Sequence, residues 1–249
     1  LRGVEHVRRE IIKGNLLQGV LSRRLYLETE LPALDAYKNL RTANPSPYLF
    51  YLDFTDYQLF GSSPEVHVRA KDGVSLVNPI AGTRKRGADS EEDKKLAAEL
   101  LADEKERAEH LMLVDLARND LGRFCESGGV RVDELMRIEH YSHVMHIVSR
   151  VSGTMRPEKN GTDAIRATFP AGTVSGAPKI RAVETIDALE PEPRRFYAGL
   201  VGYVEPDGNL DTCITIRSAL KRGSLLALQA GAGIVFDSVP EKEYEETEA

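Results

Sequence analysis

Apolar residues recur along the chain at spacings that separate predicted helices from predicted strands. Over residues 4–18 they repeat about every 3.6 positions, which predicts a helix. Residues 34–44 show a similar helical pattern that ends at the turn sequence NPSP, and residues 90–120 predict one or two long helices. Residues 19–27 alternate loosely between apolar and polar, which predicts a strand.

Short β-rich runs between turn residues predict most of the remaining elements. YLFYLDF, YQLFGSS and EVHVRA are typical of a meander, and FYAGLVGYVEP, LDTCITIRSALKRG and SLLALQAGAGIVFDS predict three strands. VRVDELMRIE and HVMHIVSRVSGTM fit two strands, or a strand and a helix. Because the strands come in blocks and do not alternate strictly with helices, the pattern favours an α+β fold with antiparallel sheets.

Charge and composition exclude several classes of function. The net charge of −6 argues against a nucleic acid or a membrane surface as the main partner. No apolar run approaches the roughly 20 residues that span a bilayer. Cys125 and Cys213 lie far apart in no metal-binding spacing, so we expect a reducing, cytoplasmic setting. Since the chain opens without Met and closes inside a helical pattern, we expect it to be a fragment.

Two Glu-x-x-Glu pairs are the first candidate chemistry. Glu106 and Glu109 share one face of a predicted helix. A second helix, begun by a predicted capping box with Ser238 as N-cap, carries Glu243 and Glu246. Converging carboxylates need a cation, and ligands that are all oxygen favour Mg²⁺. Ordinary solvated helix faces explain the same spacing.

Three glycine-containing loops form a second group of candidates. In FPAGTVSGAPK, Gly172 and Thr173 precede a helix predicted to start near Pro178, as in an anion site or in a plain helix cap. In QAGAGIVFDS, Gly231 and Gly233 permit a ligand to approach the backbone, although a β-bulge is an equal alternative. PIAGTRKRG adds a Gly-Thr step before three cations, which also fits a basic loop.

Four polar residues lie in otherwise apolar or turn segments. His146 has apolar neighbours and fits either a core residue or a catalyst. Arg217, expected inside a strand, needs a carboxylate partner from the protein or from a substrate. Tyr197, expected to begin a strand, fits the core, and Glu65 fits a turn.

These stretches together resemble the chorismate-utilising enzymes, most nearly the members that form anthranilate. The resemblance covers nearly the whole chain and implies an α+β fold with antiparallel sheets packed as a sandwich, peripheral helices and a missing N-terminal segment. It implies one chorismate-binding catalytic domain over residues 1–249. It rests on motifs in the family's order: PIAGTRKRG, DEKERAEHLMLVDLARNDLGR, YSHVMHIVS, FPAGTVSGAPKIRA, YAGLVGY, DTCITIRS and QAGAGIVFDSVPEKEYEET.

The resemblance implies a Mg²⁺ site and a set of substrate contacts. Glu109 and Glu246 would hold Mg²⁺ directly, and Glu106 and Glu243 would act through its waters or assist. The ion would bind the ring carboxylate of chorismate. The residues implied to contact the substrate are Gly82, Thr83, Thr173, Tyr197, Arg217, Gly231, Ala232 and Gly233.

The resemblance also implies two residues that move protons. Glu65 would help the ring hydroxyl leave, which requires a protonated carboxyl, so we expect its pKa to be raised. His146 would assist the elimination of pyruvate. Thr173 is counted with these catalytic residues because it would bind the reacting end of the substrate.

Two positions separate the relatives within this family. Where the aminodeoxychorismate synthases have a nucleophilic lysine, this chain has Ala81. Where the isochorismate and salicylate synthases have a lysine that activates water, it has Gln18. Both substitutions favour amination by ammonia over these sibling reactions. A relative that binds an aromatic acid without turnover is the alternative from another class.

The resemblance implies two further partners. A glutamine amidotransferase subunit would supply ammonia, because nothing in the sequence indicates a glutaminase. Tryptophan would act as a feedback inhibitor through Pro47, Tyr48, Leu49 and Tyr203, with Leu49 standing where methionine is common. The family places much of the inhibitor pocket in the missing N-terminal segment.

Overall fold

The computed structural model describes residues 1–141 and 143–248. These residues form two compact units. The first unit contains residues 1–64, 170–201 and those from Ile214 onward, and the second contains residues 65–169 and 202–213. Ser142, in the YSHVMHIVS motif, lies outside the described residues. That residues 1–249 form one catalytic domain stays a prediction.

Helices and strands alternate in blocks along the chain. The strands are β1 Gln18–Glu28, β2 Tyr48–Asp53, β3 Gln58–Ser63, β4 Val66–Lys71, β5 Val74–Val77, β6 Ile80–Lys85, β7 Cys125–His140, β8 Val144–Met155, β9 Gly176–Ala177, β10 Leu200–Val204, β11 Leu210–Ile214, β12 Ser218–Arg222 and β13 Leu225–Ile234. The helices are α1 Arg2–Ile12, α2 Ala33–Ala43, α3 Ser90–Ala102, α4 Glu104–Gly122, α5 Gly161–Thr168, α6 Gly172–Ser175, α7 Lys179–Leu189 and α8 Pro240–Glu246. None of the helices in the described part of the chain is both long and apolar enough to cross a membrane.

An antiparallel sheet organises the first unit. Its strand order is β2-β3-β12-β13-β1-β9. The longest ladder joins β1 to β13 and runs from the Gly19–Ile234 pair to the Glu28–Leu225 pair without a register shift. The apolar face of α1 packs Val7 into a buried cluster with Ile234, so the helix covers this ladder.

A second sheet organises the other unit. Its strand order is β10-β11-β4-β5-β8-β6, and β7 also pairs with β8. Helix α4 packs on β6, β7 and β8, and its residue Leu121 is fully buried with Val151 of β8 in the core of the unit. This packing presents one edge of α4 to strand β6, which carries the Gly-Thr step of PIAGTRKRG.

The predicted α+β class with antiparallel sheets is confirmed. The helices predicted over residues 4–18 and 34–44 are present as α1 and α2, but α1 ends at Ile12, just before Gly14 with its left-handed φ of 78°. Residues 90–122 form two helices, and the two-strand alternative holds for β7 and β8. The basic-loop alternative for PIAGTRKRG is wrong, because most of this segment forms β6 and pairs with β8.

Two strand predictions near the candidate residues are wrong. LDTCITIRSALKRG forms two strands, because Arg217 has a left-handed φ of 47° that interrupts the extended backbone. Tyr197 does not begin a strand. It lies in a turn in which the Gly199 N–H donates to the Phe196 carbonyl, and β10 starts only at Leu200.

One of the two predicted helix starts near the candidate residues needs correction. Ser238 does not cap α8, because its hydroxyl accepts a hydrogen bond from the Val235 N–H (3.0 Å) and so closes the preceding turn. Val239 is the N-cap, and Pro240 takes the first helical position. The predicted helix start near Pro178 is confirmed, because Pro178 is the N-cap of α7.

The hydrogen bonds of Asp93 should stabilise the folded state in a way that acid removes. Its carboxylate accepts hydrogen bonds from Arg86 Nε (3.0 Å) and the Gly87 N–H (2.7 Å). The guanidinium first, and then the amide, lower the pKa of Asp93 to about 2. Because this pKa is lower than in the unfolded chain, the stabilisation is complete above about pH 4 and is lost as pH falls through about 2.

We therefore expect Asp93→Asn to be less stable than the wild type at neutral pH, with a difference that shrinks from pH 4 to pH 2. Urea denaturation at a series of pH values measures this difference. Asp115→Asn is the control, since it removes a carboxylate from an exposed pair with Arg118. A difference between Asp93→Asn and wild type that stays constant with pH would contradict the assignment.

At Gly82 we expect any added side chain to lower the stability of the folded state. It has a φ of 70° at the register shift of β6, and a Cβ there would lie 3.2 Å from Leu100, Ile147 and Glu106 atoms. Gly73 has a similar φ of 79° but open space around it. We expect Gly73→Ala to cost roughly 1 kcal/mol for the left-handed backbone alone. Gly82→Ala should cost more in urea denaturation, and equal losses would contradict the crowding argument.

Candidate active site

His146 and the Gly-Thr step meet within the second unit. Thr83 is paired with His146 across the β6–β8 ladder. His146 Nδ1 lies 3.1 Å from the Thr83 hydroxyl and 3.1 Å from the Gly82 carbonyl oxygen. Because a carbonyl can only accept a hydrogen bond, we assign the proton of the neutral ring to Nδ1, which leaves the lone pair on Nε2. These two contacts fix the orientation of the His146 ring, and its role in proton transfer stays a prediction.

The predicted carboxylate edge of α4 lies beside this group. Glu106 Oε1 accepts a hydrogen bond from Arg84 Nη1 (3.0 Å), and Glu106 Oε2 is the atom nearest to a Cβ built on Gly82. Glu109 lies one turn further along α4, and both glutamates are half-buried. The pair is therefore only partly solvated, and its role in holding a cation stays a prediction.

Asp103 explains why α4 begins where it does. Its side chain accepts hydrogen bonds from the N–H groups of Lys105 and Glu106, which caps the helix. These backbone contacts, led by Glu106 N–H, lower the pKa of Asp103. Asp103 also accepts a hydrogen bond from Arg84 Nη2 (3.0 Å). Arg84 thus joins the cap to Glu106, a role that its place among three cations of the motif did not reveal.

His110 is a second histidine that the sequence argument did not select. It is fully buried, and burial lowers its pKa to about 4, so the ring is neutral near pH 7. Its Nε2 lies 2.6 Å from the Ser149 hydroxyl of β8, and the same hydroxyl accepts the Met136 N–H (2.9 Å). His110 therefore fixes α4 to the sheet next to Glu109. Its position within an apolar helical face gave no separate signal.

Thr173 is the clearest candidate contact in the first unit. It lies in α6, and its hydroxyl oxygen is buried without a hydrogen-bond partner among residues 1–141 and 143–248. Most buried polar atoms in folded proteins are satisfied, so an unsatisfied hydroxyl indicates a place for an added polar group.

The Gly231–Ala232–Gly233 stretch lies within β13, opposite residues Ser22 to Val20 of β1. The ladder is continuous here, so the β-bulge alternative is wrong. A Cβ on Gly231 would lie 2.7 Å from the Tyr197 hydroxyl. Glycine at this position therefore lets the tyrosine side chain reach the backbone of β13.

Tyr197 is held as a protonated hydrogen-bond donor. Burial raises the pKa of its hydroxyl to about 12, so it keeps its proton throughout the physiological range. The guanidinium of Arg194 lies 5.6 Å from its ring centroid. Arg195 and Ala198 on either side have left-handed φ values of 57° and 60°.

Arg217 lies at the break between β11 and β12. The Ser62 N–H donates to its carbonyl oxygen (3.0 Å), so the strained backbone is anchored to β3. Non-glycine residues with left-handed backbone cluster at functional sites, because neighbouring contacts must hold them there. The backbone at Arg195, Ala198 and Arg217 supports a site in this region of the first unit.

The second glutamate pair lies on α8. Partial desolvation, and then the nearby carboxylate of Glu243, raise the pKa of Glu246, although this residue is largely exposed. A cavity of about 190 Å³ is lined by Ala232 and Glu243, which brings these two candidates together. Within each unit, the described residues contain no group of three or more His, Cys, Asp or Glu side chains that could hold a metal ion.

The remaining candidate residues are distributed over both units. Glu65 is half-buried in the second unit between β3 and β4. Tyr48 and Leu49 begin β2 in the first unit, just after Pro47, whereas Tyr203 is an exposed residue of β10 in the second unit. Their roles stay predictions.

Comparisons with known proteins agree with this set of motifs. The chain is 67% identical over 241 residues to anthranilate synthase component 1 of Spirochaeta aurantia, covering 97% of this chain and 50% of that relative. It is 56% identical over 244 residues to anthranilate synthase component 1 of Aquifex aeolicus, covering 98% of this chain and 49% of the relative. The chain thus spans about half the length of the curated relatives it matches.

Solved structures show the same fold. The crystal structure of anthranilate synthase component I from Streptococcus pneumoniae superposes with a TM-score of 0.92 at 48% identity, covering 98% of this chain and 54% of that one. The menaquinone-specific isochorismate synthase from Escherichia coli superposes with a TM-score of 0.90 at 28% identity, covering 99% and 57%. Residues 1–249 match the chorismate binding enzyme family, and the chain belongs to that family.

Proposed function

We propose that this chain is the chorismate-converting part of an anthranilate synthase large subunit. The reaction joins chorismate and ammonia to give anthranilate and pyruvate, a step of tryptophan biosynthesis. The orientation of His146 by Gly82 and Thr83 is the observation that carries the proposal, because it prepares one histidine for proton transfer beside the acidic edge of α4. The similarity to anthranilate synthase component 1 proteins selects ammonia among the possible nucleophiles.

The two carboxylates of chorismate require local positive charge or N–H donors, since the chain carries a net charge of −6. We assign the ring carboxylate to the Thr173 hydroxyl and to the backbone amides of residues 231–233. The unsatisfied Thr173 hydroxyl supports this assignment. Arg217 and Tyr197 bind the enolpyruvyl carboxylate, and the protonated state of Tyr197 supports its role as a donor.

The glutamate pairs are the proposed Mg²⁺ ligands. Two like charges ~4 Å apart repel by about 4 kcal/mol at an effective dielectric constant near 20. Partial desolvation first, and then the nearby carboxylate of Glu243, raise the pKa of Glu246, which supports an added cation at this pair. Glu109 and Glu246 are assigned as direct ligands. Glu243 assists, and so does Glu106, whose carboxylate already has a cationic neighbour in Arg84. When bound, Mg²⁺ supplies a Lewis acid and a template for the ring carboxylate.

Residues of the second unit move the protons. Ammonia adds to the ring carbon next to the one that bears the carboxylate, the ring double bonds shift, and the ring hydroxyl leaves as water with a proton from Glu65. The product of this step is aminodeoxyisochorismate. Loss of the ring proton, assisted by His146, then expels pyruvate and makes the ring aromatic. Gly82 and Thr83 border the ring and keep His146 in place.

A glutamine amidotransferase subunit is the proposed source of ammonia, and the designation "component 1" of the relatives supports the existence of a partner. Tryptophan is the proposed feedback inhibitor, through the residues around Tyr48 and through Tyr203. The cytoplasm is the proposed location, because the chain has only two cysteines, Cys125 and Cys213, in no metal-binding or paired spacing.

The full-length protein that contains this chain should convert chorismate to anthranilate with ammonium as the nitrogen source. The blue fluorescence of anthranilate measures the product. EDTA should abolish the signal and added Mg²⁺ should restore it, because the carboxylate pairs are proposed to need the ion. A 4-amino product or isochorismate would instead support a sibling reaction, and chorismate binding without product would support a non-catalytic binder.

Glu65→Gln should lower kcat about a hundredfold or more, since general acid catalysis typically contributes at least that factor. The wild-type rate should also fall as pH rises through the raised pKa that we expect for Glu65, and the variant should lack this dependence. Glu91→Gln is the matched control, because Glu91 is exposed and pairs with the exposed Lys94. Full turnover by Glu65→Gln would refute the role of this residue.

A further inference from the structure

A largely buried ion pair lies next to the candidate residues of the first unit. Glu190, which ends α7, and Arg194 expose only 8% and 14% of their side chains. Arg194 donates to both carboxylate oxygens of Glu190, from Nε (2.8 Å) and from Nη2 (2.6 Å). The Ser22 N–H and hydroxyl donate to the same carboxylate, each at 2.8 Å. The negative charge is therefore satisfied by a guanidinium and by strand β1.

The guanidinium also ties two separate backbone segments together. Its Nη1 donates to the Val174 carbonyl of α6 and its Nη2 to the Val20 carbonyl of β1, each at 2.6 Å. The Gln229 side chain of β13 donates to the Ser22 hydroxyl (2.7 Å), which extends the network to a third element. One side chain, Arg194, thus sets the spacing between α6 and β1.

Each end of this network lies next to a proposed substrate contact. Val174 follows Thr173 in sequence, and the Arg194 guanidinium lies against the Tyr197 ring. Gly231, whose Cα faces the Tyr197 hydroxyl, pairs with Ser22 in the β1–β13 ladder. The groups proposed to bind both carboxylates of the substrate therefore share a single buried support.

We propose that the Glu190–Arg194 pair is a positioning device that sets the Thr173 hydroxyl, the Tyr197 hydroxyl and the Gly231 backbone at the spacing of the two carboxylates of chorismate. This inference rests on the function proposed above. The planar guanidinium is required because it bonds the carboxylate through two nitrogens while reaching two carbonyls. A lysine ammonium keeps the charge but has no such fork.

Steady-state kinetics of Arg194→Lys in the full-length protein tests the proposal. Displaced binding groups weaken ground state and transition state alike, so the KM for chorismate should rise about tenfold while kcat falls less than about threefold. The KM for ammonium should not change. Glu184→Gln is the matched control, because Glu184 lies on α7, the helix that Glu190 ends, but is 59% exposed and pairs with Arg181. Its KM for chorismate should equal that of the wild type.

A double variant separates positioning from general loosening of the fold. If Arg194 acts through Tyr197, then Tyr197→Phe should raise the KM for chorismate. The KM of the double variant Arg194→Lys/Tyr197→Phe should then be well below the value expected if the two single fold-changes multiplied. Effects that multiply fully would overturn the proposed link. Ser22→Ala removes one hydrogen bond to Glu190, so it remains informative if Arg194→Lys does not fold. It should raise the KM about threefold, and a wild-type KM would overturn the inference.

The outcomes distinguish this inference from the proposed function. A wild-type protein that turns over chorismate, together with an Arg194→Lys variant of lower melting temperature and unchanged KM, would show a purely structural pair and overturn this inference alone. A wild-type protein that neither binds nor converts chorismate would overturn the proposed function and the inference with it.

Discussion

The β1–β13 ladder is the constraint on which the arrangement of the first unit depends. Side chains alternate between the two faces of a strand, so a slip of one residue would move every side chain to the opposite face. The unbroken register from Gly19 to Glu28 fixes Ser22 opposite Gly231. That pairing sets the backbone of the glycine stretch beside both the Tyr197 hydroxyl and the buried carboxylate of Glu190. The register of this ladder therefore determines where the candidate residues of the first unit lie.

Carboxylates near the candidate residues have different electrostatic surroundings. Glu190 is neutralised within the protein by Arg194, and Glu106 has Arg84 as its partner. Glu246 is largely exposed, and partial desolvation first, and then the like charge of Glu243, raise its pKa. A carboxylate matched by a guanidinium has a structural explanation, whereas two neighbouring carboxylates are stabilised by an added cation or a proton. This difference gives the α8 pair its place in the metal proposal.

Sequence periodicity predicted the elements with long regular patterns, because burial of one face dictates where apolar residues fall. It failed at Arg217 and Tyr197, where apolar neighbours continue a strand-like pattern while the backbone leaves the extended region. No residue-type signal marks this change, since arginine and alanine are not typical of left-handed backbone. The capping-box pattern at Ser238 failed because the same hydroxyl had a nearer N–H to bond, in the preceding turn.

Family motifs selected the candidate site residues, but not the residues that support them. Arg84, His110 and the Glu190–Arg194 pair act through partners distant in sequence, and such pairings exist only once the chain has folded. The Thr83–His146 contact is intermediate, because both motifs were recognised but their pairing required the β6–β8 register. Candidate residues could therefore be predicted from the sequence, whereas the contacts between them could be seen only in the folded structure.

The left-handed backbone at Arg195, Ala198 and Arg217 has an evolutionary consequence. Each such residue costs on the order of 1–2 kcal/mol relative to a relaxed conformation. Glycine at these positions would relieve the penalty, yet it would also free the loop that carries Tyr197 and the break between β11 and β12. Selection for thermal stability should therefore favour glycine at these three positions, whereas selection for substrate affinity should favour the present residues. Homologues from hot and temperate habitats should differ at these positions accordingly.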